Sequence, residues 1–240
     1  MSVLRPLSCL LPEGPKIALI VLNRPVDVPL LTNLWKKSLF TAVTDGGVNQ
    51  LHRSLGDQKD KYIPNIITGD FDSAEPAILD YYKKKDVDII PTPDQDETDF
   101  TKCVRIVCDR IDHSKTDHIV AMGAFGGRMD HSLANINTLY TALTLSKTPL
   151  YLFYENSMAC LLDKGDHTLH CDTGLEGSLV GLVPVGQPAN HVTTTGLKYN
   201  LTNHRMAFGE LISTSNSLAD KTVKVTTDHP LLWIMEYQLP

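Results

Sequence analysis

Six short apolar runs, at residues 16–22, 39–44, 63–68, 87–90, 118–122 and 150–154, alternate with segments of helical spacing, and this alternation restricts the fold more than any other feature. A run such as Lys16-Ile17-Ala18-Leu19-Ile20-Val21-Leu22 is continuous rather than alternating, as expected of a strand buried on both faces. The intervening segments predict helices over 27–38, from about 48, and from 99 to about 111, where Phe100, Cys103, Val104, Val107 and Ile111 share a face. They also predict a helix over 131–145 that buries Leu133, Ile136 and Leu139 or their neighbours, and one that starts from a Ser73 cap with Pro76 in its first turn and runs to about 84. Strand and helix in strict alternation imply an α/β domain with a mostly parallel, helix-flanked, Rossmann-like sheet.

After about residue 155 the pattern changes. Short runs at 158–162, 168–171, 178–183, 191–195, 210–213, 222–226 and 231–237 are separated by turn residues, Gly and Thr are frequent, and helical periodicity is absent. The expectation is an antiparallel β sandwich or barrel, with domains at 1–155 and 156–240.

Acidic turns follow four of the runs. They are Thr44-Asp45-Gly46-Gly47-Val48-Asn49, Thr68-Gly69-Asp70-Phe71-Asp72-Ser73, Asp94-Gln95-Asp96-Glu97-Thr98-Asp99 and Gly123-Ala124-Phe125-Gly126-Gly127-Arg128-Met129-Asp130-His131. Acids and Thr at a helix start are also what capping requires, and an Asx turn with a cap would account for Ser73. In an open parallel sheet, however, loops leaving the carboxyl ends of the strands meet along one edge, where such folds bind ligands. Four acidic turns delivered to one edge suggest a shared site.

Charge and cysteine usage narrow the classes. A formal net charge of -6 and a pI near 5.8 argue against nucleic acid as partner. Five scattered cysteines without C-x-x-C spacing offer neither a zinc site nor a redox dithiol and point to a reducing, cytoplasmic compartment. No run is long enough to span a membrane, and residues 1–14 do not read as a signal peptide.

Carboxylate oxygens suit Mg²⁺, which binds through one or two carboxylates together with substrate phosphates. If the loop stays extended, Asp70 and Asp72 point the same way. With Asp45 and Asp99 at the same edge, a nucleotide would need metal to enter, so a metal-nucleotide complex is the implied ligand. Gly126-Gly127-Arg128 enters a helix and offers backbone N–H groups and a guanidinium to an anion. The chain lacks both the G-K-[ST] of a P-loop and a G-x-G-x-x-G after the first strand. A Mg²⁺-dependent phosphohydrolase and a non-catalytic nucleotide-binding sensor remain alternatives on these residues.

Taken together, these segments resemble the thiamine pyrophosphokinases: Asp45-Gly46-Gly47-x-Asn49, Gly69-Asp70-Phe71-Asp72-Ser73, Asp94-Gln95-Asp96-x-Thr98-Asp99-Phe100-x-Lys102, Gly126-Gly127-Arg128-x-Asp130-His131, Thr195-Gly196-Leu197-Lys198-Tyr199 and Ser213-Thr214-Ser215-Asn216. The resemblance implies transfer of the pyrophosphoryl group of ATP to thiamine, giving thiamine diphosphate and AMP, by a homodimer with its active site at the subunit interface. It implies Mg²⁺ on Asp45, Asp70, Asp72 and Asp99, and nucleotide contacts from Asp45, Asn49, Gly127, Arg128, Asp130 and His131. Thiamine would meet Gln95, Asp96, Thr98, Ser215 and Asn216, and the reacting groups would be served by Asp70, Asp72, Asp99 and Arg128. Tyr199 stands where some relatives carry Trp, and Met129 where Phe is frequent.

Overall fold

The computed structural model describes residues 1–239. Two compact bodies emerge: one of residues 12–155, the other of residues 1–11 together with Asn156 onward. The first eleven residues therefore leave the α/β body, to which the sequence pattern assigns them. The cause is β1 (Ser2–Leu4), which pairs in parallel with β9 (Gly165–His170), Ser2 opposite His167, while the Ser2 hydroxyl meets His167 Nδ1 at 2.6 Å. A pairing 165 residues apart leaves no local trace in the sequence.

In the α/β body, β2 (Ile17–Val21) is buried along its whole length and pairs in parallel with β3 (Ser38–Thr44) on one side and β6 (His118–Met122) on the other. The sheet continues from β3 to β4 (Ile66–Gly69) and β5 (Asp88–Pro91), and from β6 to β7 (Leu150–Tyr154), with every pairing parallel. The strand order β7-β6-β2-β3-β4-β5 reverses direction at β2, which makes its carboxyl end the topological switch point of the sheet.

The helices are α1 (Val28–Trp35), α2 (Gly47–Leu55), α3 (Pro76–Lys83), α4 (Asp99–Arg110) and α5 (Met129–Leu145). Local chemistry sets their starts. Asp27 caps α1 by accepting from Leu30 N–H at 2.9 Å, and Thr98 caps α4 by accepting from Thr101 N–H at 3.2 Å. Helix α4 buries Phe100, Cys103, Val104 and Val107, the expected face. Helix α5 meets the expectation at Leu139, which is buried, and departs from it at Leu133, which is 51% exposed; Thr138 is buried instead, and its hydroxyl meets that of Thr101 on α4 at 2.8 Å. The α4–α5 contact thus includes a hydroxyl pair, which a search for apolar periodicity does not find.

In the β body, one sheet has the order β1-β9-β14-β11-β12, with β11 (Ala189–Thr195), β12 (His204–Met206) and β14 (Thr222–Thr227). The other strands, β8 (Ser157–Leu162), β10 (Glu176–Val183), β13 (Ser213–Asn216) and β15 (Leu231–Tyr237), pair antiparallel as β13-β10-β15-β8. Val223 and Val225 are buried while Lys224 and Thr226 are exposed, the period of two expected of a half-buried strand. The strand expected at 210–213 begins instead at Ser213, and β12 has no counterpart among the runs read from the sequence.

Candidate active site

Strands β3 and β4 and the segment after β5 carry three carboxylates to one edge. Oxygens of Asp45, Asp70 and Asp99 all lie within 4.8 Å of one another. Asp45 follows β3 with a left-handed φ of 27°, a conformation that costs a non-glycine residue energy and persists where surrounding structure enforces it. Its N–H donates to Thr68 O at 2.7 Å, and its Oδ1 is buried with no hydrogen-bond partner among the described residues. Burial, more than any other influence, pushes the Asp45 carboxyl above the usual carboxylate range. Asp99 and Asp72 add to the rise, against hydrogen bonds from Gly46 and Ser73.

Asp72 is not one of the three. Phe71 adopts a left-handed φ of 64°, so the loop is not extended and the expected alternation of faces is lost. Asp72 N–H donates to Asp70 Oδ1 at 3.2 Å, closing an Asx turn, and its carboxylate accepts from the Ser73 hydroxyl at 2.8 Å. The carboxylate stays near enough to raise Asp45 but is exposed.

Ser73 does not cap α3, whose N-cap is Glu75. Asn49 on α2 supplies the missing acceptor: its Oδ1 accepts from Glu75 N–H at 3.0 Å, and its Nδ2 donates to Ser73 O at 2.8 Å. Both ends of the amide expected to touch nucleotide therefore hold the Asp70–Ser73 loop in place.

The acidic stretch before α4 is built around Lys102. Its ammonium, 8% exposed, donates to Thr92 O at 2.7 Å and Asp94 O at 2.8 Å and pairs with Asp99 at 2.9 Å. Gln95 Nε2 donates to Asp70 Oδ2 at 2.9 Å, and this bond, more than any other influence, holds the Asp70 carboxyl below its ordinary value. Asp96 and Thr98 are both exposed. Asp96 is placed by its own N–H on Asp94 Oδ1 at 2.9 Å, Thr98 by its capping bond.

Gly126 and Gly127 lie in the left-handed region, and a Cβ on Gly126 would come within 2.8 Å of the Tyr154 ring. Asn135 on α5 donates to Ala124 O at 2.6 Å and steadies this loop. The structure does not add Arg128 to the acid cluster; it is exposed and paired with Asp130, and Asp130 Oδ1 also accepts from His131 N–H at 3.0 Å. Sequence reasoning passes over Asn23 and Arg24, which no motif marks. Only the register of β2 between β3 and β6 places them between two of the site loops.

In the β body, Ser215 is exposed with a left-handed φ of 55°, and Asn216 is buried. The Asn216 amide accepts from Tyr199 N–H at 3.1 Å and donates to Tyr199 O at 2.8 Å, which fixes the Tyr199 loop. Tyr199 is 63% exposed.

The donor set suits a hard divalent cation. Three converging carboxylates, one with a buried, unpartnered oxygen and a raised pKa, form a cluster that added positive charge would relieve. Fold and site together define an α/β enzyme with an oxygen-rich acidic centre on the carboxyl edge of its sheet. Two family models match, "Thiamin pyrophosphokinase, catalytic domain" over residues 31–153 and "Thiamin pyrophosphokinase, vitamin B1 binding domain" over residues 166–232. Relatives include Thiamine pyrophosphokinase 1 of Oryza sativa subsp. japonica, 36% identical over 231 residues that cover 90% of this chain and 85% of that one. Thiamine pyrophosphokinase 1 of Arabidopsis thaliana is 35% identical, covering 92% and 86%. The solved structure of thiamin pyrophosphokinase from Candida albicans shares the fold with a TM-score of 0.86 at 24% identity, covering 99% of this chain and 93% of that one. The chain belongs to the thiamin pyrophosphokinase family.

Proposed function

We propose that this chain transfers the pyrophosphoryl group of ATP to the hydroxyl oxygen of thiamine, giving thiamine diphosphate and AMP, in a Mg²⁺-dependent reaction. The observation that carries the proposal is the convergence of Asp45, Asp70 and Asp99, with Asp45 Oδ1 unpartnered among the described residues, in a member of this family. These three carboxylates would hold Mg²⁺, with Asp72 beside them. When bound, the ion would neutralise charge developing on the phosphates.

The protein's own part is positioning. Gln95 and Lys102 fix Asp70 and Asp99, and Asn49 fixes the turn that carries Asp70 and Asp72. Asp99 is paired to Lys102, so Asp72, exposed and without an ion pair among the described residues, is the carboxylate we assign to accept the thiamine hydroxyl proton. The oxygen so freed bonds to the β-phosphorus, and the bond from that phosphorus to the α,β-bridging oxygen breaks, releasing AMP. Arg128, Gly127, Asp130 and His131 serve the nucleotide, exchanging the Arg128–Asp130 pair for phosphate. Gln95, Asp96 and Thr98 line the thiamine side, where an acidic residue favours the cationic thiazolium.

The assembly we propose is a homodimer in which Ser215 and Asn216 serve the thiamine site. Exposed apolar residues support a partner surface on each body taken by itself, Leu133 and Met129 on α5 in one, Phe208 and Leu211 in the other. We assign the protein to the cytoplasm on its five scattered, buried cysteines, an odd number without C-x-x-C spacing. Among the described residues no helix is long and apolar enough to cross a membrane.

The test is product analysis with ATP, thiamine and Mg²⁺. AMP and thiamine diphosphate formed in equal amounts, and only with thiamine present, support the proposal. Inorganic phosphate without thiamine would mean a hydrolase, and binding without product a sensor.

A further inference from the structure

We propose that Arg24 is a phosphate-contact residue that, on the reading of ATP as co-substrate, grips the triphosphate from the flank of the site opposite the carboxylates. Arg24 follows β2, the strand at which the sheet order reverses. Ligands of open α/β sheets lie in the crevice at this point, because the loops on either side run apart there.

Two adjacent residues line that crevice. Asn23 abuts Gly46, the residue after Asp45, so closely that a Cβ on Gly46 would collide with its side-chain amide. Arg24 lies on the other flank. A Cβ on Gly123 would approach the Arg24 Cβ to 3.1 Å, and one on Gly127 would collide with the guanidinium. The absence of side chains at Gly123 and Gly127 is thus what gives the Arg24 side chain its place against the loop.

Among the described residues, Arg24 is also a cation left free at that crevice. The residue is half-buried, its guanidinium makes no hydrogen bond or ion pair among the described residues, and it exerts its electrostatic influence on the Tyr154 hydroxyl. Arg128, which follows Gly127 in the same loop and is expected from its motif to grip phosphate, is already paired with Asp130. An unpaired guanidinium, planar and able to bond two oxygens at once, suits a phosphate better than any other side chain.

The experiment uses the full chain as wild type, Arg24→Gln and Arg24→Lys. Calorimetry with inorganic tripolyphosphate and Mg²⁺ is paired with steady-state kinetics on ATP and thiamine. Arg24→Gln is expected to weaken tripolyphosphate binding and raise the KM for ATP about tenfold, with the KM for thiamine within about twofold and Arg24→Lys in between. Wild-type affinity in Arg24→Gln, equal rises in both KM values, or no tripolyphosphate binding by the wild type would overturn the assignment. If Arg24→Gln does not fold, Arg24→Lys decides by the same measurements. Tripolyphosphate binding that depends on Arg24 in a chain that makes no AMP would retain the phosphate contact and refute the reaction; turnover indifferent to Arg24 would do the reverse.

Discussion

Asp45 and Gly69 are in contact across adjacent strands: a Cβ placed on Gly69 would lie 2.7 Å from the Asp45 Cβ and 3.0 Å from its Cα. The residue before Asp70 must therefore lack a side chain for Asp45 and Asp70 to share a site. Gly69→Ala is expected to force the two loops apart and lower turnover by about tenfold or more, since small misplacements of reacting groups are costly. Circular dichroism should show an unchanged fold; kinetics unchanged as well would contradict this.

Asp45 carries the opposite of a stabilising charge. Its pKa is raised in the folded chain, chiefly by burial, so the folded state binds the proton more tightly than the unfolded one, and ionisation at neutral pH weakens the fold. Asp45→Asn is expected to stabilise the metal-free protein by about 1 kcal/mol, roughly 2–4 °C in Tm, while abolishing Mg²⁺-dependent turnover. Thermal unfolding in EDTA, alongside product assays, reads both.

Lys102 ties two backbone carbonyls to Asp99 from a nearly buried position. Removing its charge strands those partners, so Lys102→Met is expected to cost about 3 kcal/mol, measured by urea unfolding. A loss below about 1 kcal/mol would show that the contacts are not structural.

His118 opens β6 with its ring edge-on to Tyr151, 4.9 Å between centroids, and its Nδ1 is buried without a hydrogen-bond partner among the described residues. Burial pushes its pKa down to about 4, partly offset by Asp117. The unfolded chain then binds the proton more tightly, so the contribution of His118 to stability is complete above about pH 6.5 and is lost as pH falls toward 4, by on the order of 2–3 kcal/mol. Burial depresses His52 and His167 too. His118→Gln should therefore flatten part of the slope of unfolding free energy between about pH 7 and 4, and an unchanged slope would contradict the assignment.

The α/β body is legible in the sequence because buried parallel strands appear as unbroken apolar runs and Asp27 and Thr98 announce their helices. Asp45, Asp70 and Asp99 are legible too, since strand ends of a parallel sheet share an edge. Asp72 is misplaced because nothing in Asp70-Phe71-Asp72 reveals the left-handed turn at Phe71. Ser73 looks like a cap because the acceptor that replaces it, Asn49, comes from another helix. Leu133 looks like core by its spacing, yet α5 buries Thr138 instead, whose hydroxyl partner Thr101 lies on another helix. For Ser73 and Thr138 the partner is distant in sequence, and for Phe71 the cause is a backbone angle that no side chain announces.

If Asp45, Asp70 and Asp99 act as one centre for the reaction, losing one of them must disable it even when metal is plentiful. The most direct test is the rate of AMP and thiamine diphosphate formation as Mg²⁺ is titrated, compared between wild type and Asp99→Asn. Equal yields of both products are predicted from the wild type, and for Asp99→Asn a rate lower by about a hundredfold or more that saturating Mg²⁺ does not restore. Wild-type turnover by Asp99→Asn at saturating Mg²⁺ would contradict a shared centre.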